Sequence, residues 1–427
     1  MQRYESYKPS GVKWLGDVPA HWDVRPGFTC FKENKDRNKG LVESTVLSLS
    51  YGRIVIKPEE KLTGLVPESF ESYQLIKPGD IVIRTTDLQN DQTSLRVGYA
   101  KDKGMITSAY LGLRCHPEIN PEYVFRLLES YDALKVFYGM GSGLRQSIDF
   151  WDFKRLPVPL PPRNEQDRIV AFLDQKTAEI DAAIAKKEQL IELLKEQRST
   201  SIEKAVTEGL EAPKNSQSGL TPKHWSRVKL KYCIHLLAGF AFKSSAYSSD
   251  DSDIPLLRGV NVNPGKLNWE DKVSWPKASL ATHLRYMLKP GDLVIGMDRP
   301  WVADGIRVAP VRARDVPCLL LQRVARLRAA KGISQDFLEL VLTSSGFLSY
   351  FEPMLTGISV PHISPEQIGN YEAILPPVEE QRAICEFVSQ LSRSFEQAVT
   401  KETQIVNGLR QLKTSVIADV VLGKVKV

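Results

Sequence analysis

Two short runs carry residue types that suit catalysis. "FYGMG", Phe137–Gly141, fits the Phe-x-Gly-x-Gly pattern of S-adenosylmethionine sites, and "DRPW", Asp298–Trp301, approximates the Asp-Pro-Pro-Trp that amino-methyltransferases place against a target base, with Arg299 where the first proline belongs. Together they would suit methyl transfer to adenine. The surroundings argue otherwise: Phe137 closes a helical pattern running from Glu122 to Val136, where glycine serves as a C-cap, whereas a cofactor loop follows a strand. There is no Gly-x-x-x-x-Gly-Lys-Ser/Thr phosphate loop, no Gly-x-Ser-x-Gly elbow and no His-Glu-x-x-His zinc motif. The six histidines do not cluster, and two of them, His21 and His224, each precede a tryptophan and read as packing or turn residues.

The elements around these runs are duplicated. "LPPRNEQDRIVAFL", Leu160–Leu173, returns as "LPPVEEQRAICEFV", Leu375–Val388, with seven of fourteen residues identical. "KPGDIVI", Lys77–Ile83, is answered by "KPGDLVI", Lys289–Ile295, and "VPAHW", Val18–Trp22, by "TPKHW", Thr221–Trp225. A self-match at nearly constant offset marks one structural plan used twice. It also weighs against the methyltransferase runs, because "TTDL" (Thr85–Leu88) stands in the place of "DRPW" and "TGISV" (Thr356–Val360) in the place of the glycine-rich run.

Each copy predicts a globular block of mixed helix and strand followed by a long helix. Pro-Gly-Asp is a turn feeding a short apolar strand, and "STVLSLS" (Ser44–Ser50) is a second strand. From Glu165 to about Glu208 there is neither proline nor glycine, and Ile169, Leu173, Ile180, Ile184, Ile191, Leu194 and Ile202 recur at helical spacing. In the second copy Val388, Phe395, Leu409 and Val416, interleaved with Leu391, Ala398, Ile405 and Leu412, form a coiled-coil seam. The prolines stop the preceding strand, and the acidic residues after them sit where the helix dipole favours negative charge. A helix of about 40 residues spans roughly 60 Å, so antiparallel pairing predicts a dumbbell with a pseudo-twofold axis: an α+β (mixed α/β) fold with globular blocks at 1–159 and 213–374 and helices at 160–212 and 375–427.

The bulk numbers agree with a multidomain globular protein. The chain has 427 residues, and 57 Lys+Arg against 51 Asp+Glu give +6, of which 218–372 carries +5. This favours an acidic partner weakly. The opening "MQRYESYKPS" lacks the apolar core of a secretory signal and no apolar run approaches a membrane span, which predicts a cytoplasmic protein. Five scattered cysteines without a Cys-x-x-Cys pair predict free thiols and no metal site.

The paired "LPP…EQ" helix launches, the "PAHW" and "PKHW" openings, the paired "KPGD" turns and "IPLLRGVNV" (Ile254–Val262) together resemble the DNA specificity subunits of type I restriction-modification systems. The resemblance covers nearly the whole chain. It implies two target recognition domains, each reading half of a bipartite duplex DNA site, and two antiparallel helices that set the unread gap. It further implies a subunit with no catalytic activity, working with two methyltransferase (modification) subunits and a motor-nuclease (restriction) subunit, so that S-adenosylmethionine, ATP and Mg are bound by the partners and not by this chain. A coiled-coil scaffold with two protein-binding domains and a self-sufficient DNA adenine methyltransferase are the alternative readings.

Base edges are read by Arg, Asn, Gln, hydroxyl and carboxylate side chains on exposed loops. Those expected to touch DNA are Arg84, Thr85, Thr86 and Asp87 after the first "KPGD" strand, then Ser142, Arg145 and Gln146 in the glycine-rich loop. Their second-half equivalents are Asp298, Arg299 and Trp301, then Ser359 and His362. Arg96, Arg258, Asn261, Asn263 and Arg307 lie in polar stretches between strands and complete the set. Apolar residues off the helical seam, such as Phe172 and Phe387, are candidates for holding the methyltransferase subunits.

Overall fold

The computed structural model describes residues 2–58, 69–88, 95–140, 147–210, 221–302, 305–355 and 361–427. The chain divides into two compact units: Met1–Gln189 with Glu402–Val427, and Leu190–Lys401. The boundary falls inside both long helices, at Gln189 and at Lys401.

In the first unit β1 (Asp23–Pro26) pairs with β6 (Pro157–Leu160), the strand that ends in the prolines. A four-stranded antiparallel sheet contains β2 (Phe31–Glu33), β3 (Ile81–Arg84), β4 (Val97–Tyr99) and β5 (Tyr110–Cys115) in the order β2-β5-β3-β4. Helix α1 (Pro121–Ala133) starts at Asn120, whose side chain accepts from the backbone N–H groups of Glu122 and Tyr123. It stops earlier than the sequence pattern suggests: Lys135 is left-handed at φ 63, and "FYG" continues as a short 3-10 turn. That stretch follows a helix, which is not the setting of a cofactor loop.

The second unit repeats the plan. Strand β7 (Ser226–Lys229) pairs with β12 (Glu372–Leu375), and the four-stranded sheet has the order β8 (Ile234–Ala238), β11 (Val324–Ala329), β9 (Leu293–Gly296), β10 (Val308–Pro310). Helices α3 (Gln335–Thr343), α4 (Ser345–Leu355) and α5 (Pro365–Asn370) follow. The "IPLL" run is a strand over Ile254–Leu257, and in the first unit "STVLSLS" contributes one over Leu47–Ser50.

The long helices are α2 (Arg163–Glu208) and α6 (Val378–Val421). Ile169 and Leu173 from the start of α2, with Ile417, Val420 and Val421 from the end of α6, are buried in the first unit's core beside Trp22, Phe31 and Tyr123. Ala205, Val206, Ile384 and Val388 do the same in the second unit beside Trp225 and Phe337. Antiparallel pairing is visible in each unit by itself: Asp181 meets Lys413 and Glu188 meets Arg410 in the first, while Arg198 meets Glu396 in the second. These exposed pairs set register more than stability. Leu412 departs from the expected seam: it is 50% exposed, and Val406 and Ile417 are buried instead.

Candidate nucleic-acid interface

Three polar constellations position the loops of each unit, and each occurs twice. The first explains the Glu-Gln of the helix launch. The Glu165 carboxylate accepts from Tyr4 Oη at 2.7 Å and Trp22 Nε1 at 3.2 Å, and His21 Nε2 lies 2.8 Å from its other oxygen. Glu380 makes the same contacts with Trp225 Nε1 at 3.1 Å and His224 Nε2 at 2.9 Å. The neighbouring Gln166 accepts from Asn120 N–H and donates to the Pro161 carbonyl, as Gln381 accepts from Ser334 N–H and donates to the Gly332 and Pro376 carbonyls. Each pair therefore ties the start of a long helix to the opening of its unit and to a helix N-terminus. A helix-dipole role alone leaves these contacts out.

Burial by itself would raise the Glu165 carboxyl, but hydrogen bonds from Tyr4, His21 and Trp22 outweigh it and hold the group below the usual carboxylate range. A group depressed in the folded state contributes stability that is fully present above its unfolded value of about 4.3 and is lost as pH falls through the folded value. Glu165→Gln is accordingly expected to lower the thermal midpoint at pH 7, by an amount that shrinks as the pH approaches about 3, below that unfolded value. A difference that stays constant across a pH series of melts would contradict this assignment.

The second constellation is the "KPGD" turn. Gly79 (φ 94) and Gly291 (φ 90) take the left-handed conformation that the turn requires. Asp80 then accepts the backbone N–H of Lys77 and grips Arg114 with both oxygens at 2.8 Å. Asp292 accepts the N–H of Lys289 and grips Arg328 in the same two-point manner. The turn is thereby locked to the neighbouring strand of each sheet, β5 in the first unit and β11 in the second.

The third constellation holds the loop after the central strand. Arg96 is 0% exposed, and its guanidinium donates to the carbonyls of Arg84, Thr86 and Asp87 at 2.7 to 3.3 Å. Arg307 occupies the corresponding place: its carbonyl accepts from Gly296 N–H as the Arg96 carbonyl accepts from Arg84 N–H, and its guanidinium donates to the carbonyls of Val262 and Asp298. In both loops the same residue is left-handed without being glycine, Asp87 at φ 64 and Arg299 at φ 44. Such a conformation costs of order 1–3 kcal/mol and persists where surrounding contacts fix it.

These loops meet a second segment in each unit. Ile148 N–H donates to the Thr85 carbonyl and Ile363 N–H to the Met297 carbonyl. In the second unit the meeting is also made by side chains: Asp298 Oδ1 lies 2.7 Å from His362 Nδ1 and 3.3 Å from a guanidinium nitrogen of Arg323, and Arg299 N–H donates to the Pro361 carbonyl. Asp298, Arg299 and His362 are thus brought together, and Arg323 joins them. Arg84 ends β3 and Thr86 and Asp87 follow on the loop after it, whereas Thr85 between them is buried. Ser142, Arg145, Gln146 and Ser359 lie outside the described residues.

Several expected contacts are turned inward. The Arg96 guanidinium is spent on backbone carbonyls and shapes the loop, and Arg307 has the same task. Asn261 is 1% exposed and donates to the carbonyls of Asn268 and Asp271, closing a turn. Arg258 beside it pairs with Asp271, and Asn263 begins a short hairpin with Lys266. Trp301 is half-buried against Phe351. The equivalence of Arg96 and Arg307 was available to sequence reasoning, since "RV" recurs at offset 211.

The sequence profile of the type I restriction modification DNA specificity domain matches residues 29–193 and again residues 222–406. The chain belongs to this family. Its sequence is 27% identical over 330 residues to the type I restriction enzyme MjaVIII specificity subunit of Methanocaldococcus jannaschii, covering 76% of this chain and 75% of that one. It is 24% identical to the putative MjaX specificity subunit of the same organism, over 97% and 96% of the two chains. The fold is similar to that of a chain from a structure of type I restriction-modification complex assembly, with TM-score 0.68 at 17% identity, covering 95% of this chain and 98% of that one. It also resembles the HsdS subunit from Thermoanaerobacter tengcongensis, with TM-score 0.54 at 18% identity over 96% and 98% of the chains. Each match to the specificity-domain profile begins in a globular block and ends inside a long helix, so the family's repeat is the repeat described above.

Proposed function

We propose that this specificity-family chain reads a bipartite duplex DNA site, one half-site per unit, and that its two long helices set the length of the unread gap. It performs no chemistry itself. Two modification subunits supply methyl transfer from S-adenosylmethionine, and a restriction subunit supplies ATP- and Mg-dependent translocation and cleavage. Phe387, 41% exposed on α6, offers these partners an apolar contact, whereas Phe172 packs on its own unit's core.

One observation carries the reading: the polar frame is repeated while the loop it holds is not. Glu165 and Glu380, Asp80 and Asp292, and Arg96 and Arg307 correspond, yet Arg84, Thr85, Thr86 and Asp87 stand where the second unit has Gly296, Met297, Asp298 and Arg299. A common scaffold presenting different donors and acceptors suits two different half-sites.

Selection of duplexes from a randomised pool by the full chain tests this. The expected product is two unrelated short clusters of fixed bases separated by a constant stretch of random ones. A single continuous cluster would overturn the two-half-site reading, and no enrichment at all would favour the protein scaffold.

A further inference from the structure

The second unit contains a basic cleft of about 630 Å³ on the face of its sheet away from α3, lined by Lys231, His235, Arg285, Arg326 and Arg328 together with the acidic Glu366. Arg326 and Arg328 are two residues apart on β11 and therefore point to the same face, where Arg328 stands opposite His235 on β8. Asp292 neutralises Arg328. Lys231 donates to the neutral Asn370 Oδ1 at 3.0 Å and lies 5.4 Å from the centre of the Tyr232 ring. Arg326 makes no side-chain hydrogen bond or ion pair among the described residues, and its Nε is buried without a partner. Burial, and then the neighbouring Arg328, lower its affinity for its own proton.

The corresponding place in the first unit is built differently. Gly112 occupies the position of Arg326, and the space above it is closed by Gln74 and Asn34, whose atoms lie 2.5 and 3.1 Å from where a Cβ would stand. There Arg114 is held by two carboxylates, Asp80 and Asp36. The shared frame needs one arginine with its aspartate, so the extra cations of the second unit are not required by the fold. A partly buried guanidinium without a counter-charge is costly unless a ligand completes it.

We propose that this cleft binds a phosphodiester of the DNA backbone, with Arg326 and Arg285 as its principal contacts. Guanidinium groups suit phosphate oxygens because they donate in pairs from a planar fork. Lys231 and Arg285 are exposed at the cleft and meet the backbone first. The contact fixes the position of the second unit on the duplex without selecting bases. The inference rests on the DNA-reading function proposed above.

The test is the binding of full-length protein to two duplexes of about 30 base pairs and unrelated sequence over a potassium chloride series, comparing the natural chain with R285Q/R326Q and with R285Q alone. The double variant is expected to weaken binding about tenfold at roughly 0.1 M salt on both duplexes and to flatten the plot of log K against log salt by about 0.9 for each phosphate no longer neutralised. R285Q, on an exposed residue, is expected to give half of the slope change, which separates a missing phosphate partner from a failure to fold. If the natural chain binds both duplexes and neither variant changes slope or affinity, the cleft is off the DNA path and only this proposal falls. If the variants lose a thermal stabilisation by inorganic phosphate yet bind DNA unchanged, the cleft serves a free anion and the proposal is again overturned. A natural chain without salt-dependent DNA affinity would overturn this proposal and the DNA-reading function together.

Discussion

Insertion of one heptad into each long helix, after Gln189 and after Lys401, is expected to lengthen the unread gap between the proposed half-sites and to leave the bases of each half-site unchanged. The insertion points are the places where both helices pass from one compact unit to the other. Seven residues add about 10.5 Å of helix, which by length alone corresponds to about three base pairs at roughly 3.4 Å each. They also return the helix to within about 20° of the same face, so pairs such as Asp181 with Lys413 and Arg198 with Glu396 keep their partners. The loops after Ile83 and Ile295 are untouched, as are the arginines that hold them. A heptad placed in only one helix puts the two seams out of step and is expected to abolish specific binding. Determining the bound motif for the four combinations of helices checks the prediction; a changed half-site with an unchanged gap would refute the ruler.

Asp292→Ala is expected to destabilise the second unit by about 3 kcal/mol, at the low end of what removing one partner of a buried pair costs. The carboxylate is 3% exposed, accepts the turn N–H of Lys289, and meets both donors of Arg328. Its loss leaves a cation on β11 beside Arg326 with no carboxylate between them, and one backbone donor unsatisfied. The figure stays at the low end because the Arg328 side chain is 31% exposed and water recovers part of the charge. For a unit of this size the thermal midpoint falls by about 6–12 °C. Asp80→Ala is milder, since Asp36 remains on Arg114 at 2.8 Å. Hydrogen exchange locates the effect: β8, β9 and β11 lose protection in the Asp292 variant, and equal loss from both substitutions would show that Asp36 contributes nothing.

The parts legible in the sequence were those governed by local rules. Prolines set the starts of the two long helices to within a few residues, the run without proline or glycine sets the extent of the first, and "KPGD" marks its turn because Gly79 and Gly291 adopt the left-handed conformation the turn needs. Duplication made the two-unit plan visible from residue order alone. What was not legible depends on contacts distant in sequence. The Glu165 carboxylate meets Tyr4 across 161 residues, so only its place in a first helical turn was apparent. Arg96 and Asn261 stand in polar stretches that suggest exposure, yet both face inward because loop carbonyls need donors that the sheet does not provide. Leu412 satisfies the heptad spacing but lies near the end of α6, where the helix turns Ile417 and Val421 toward the first unit's core. Arg323 gave no signal of its own; it joins Asp298 and His362 through a left-handed backbone at φ 71 that no neighbouring glycine announces.

The most direct measurement is genome-wide adenine methylation in a host expressing this chain with its modification subunit, against the same host lacking only this chain. The account predicts a bipartite motif with a gap of fixed length that is present with the chain and vanishes without it. Methylation by an active modification subunit that is unchanged by the chain's removal would contradict the assignment of DNA reading to these two units.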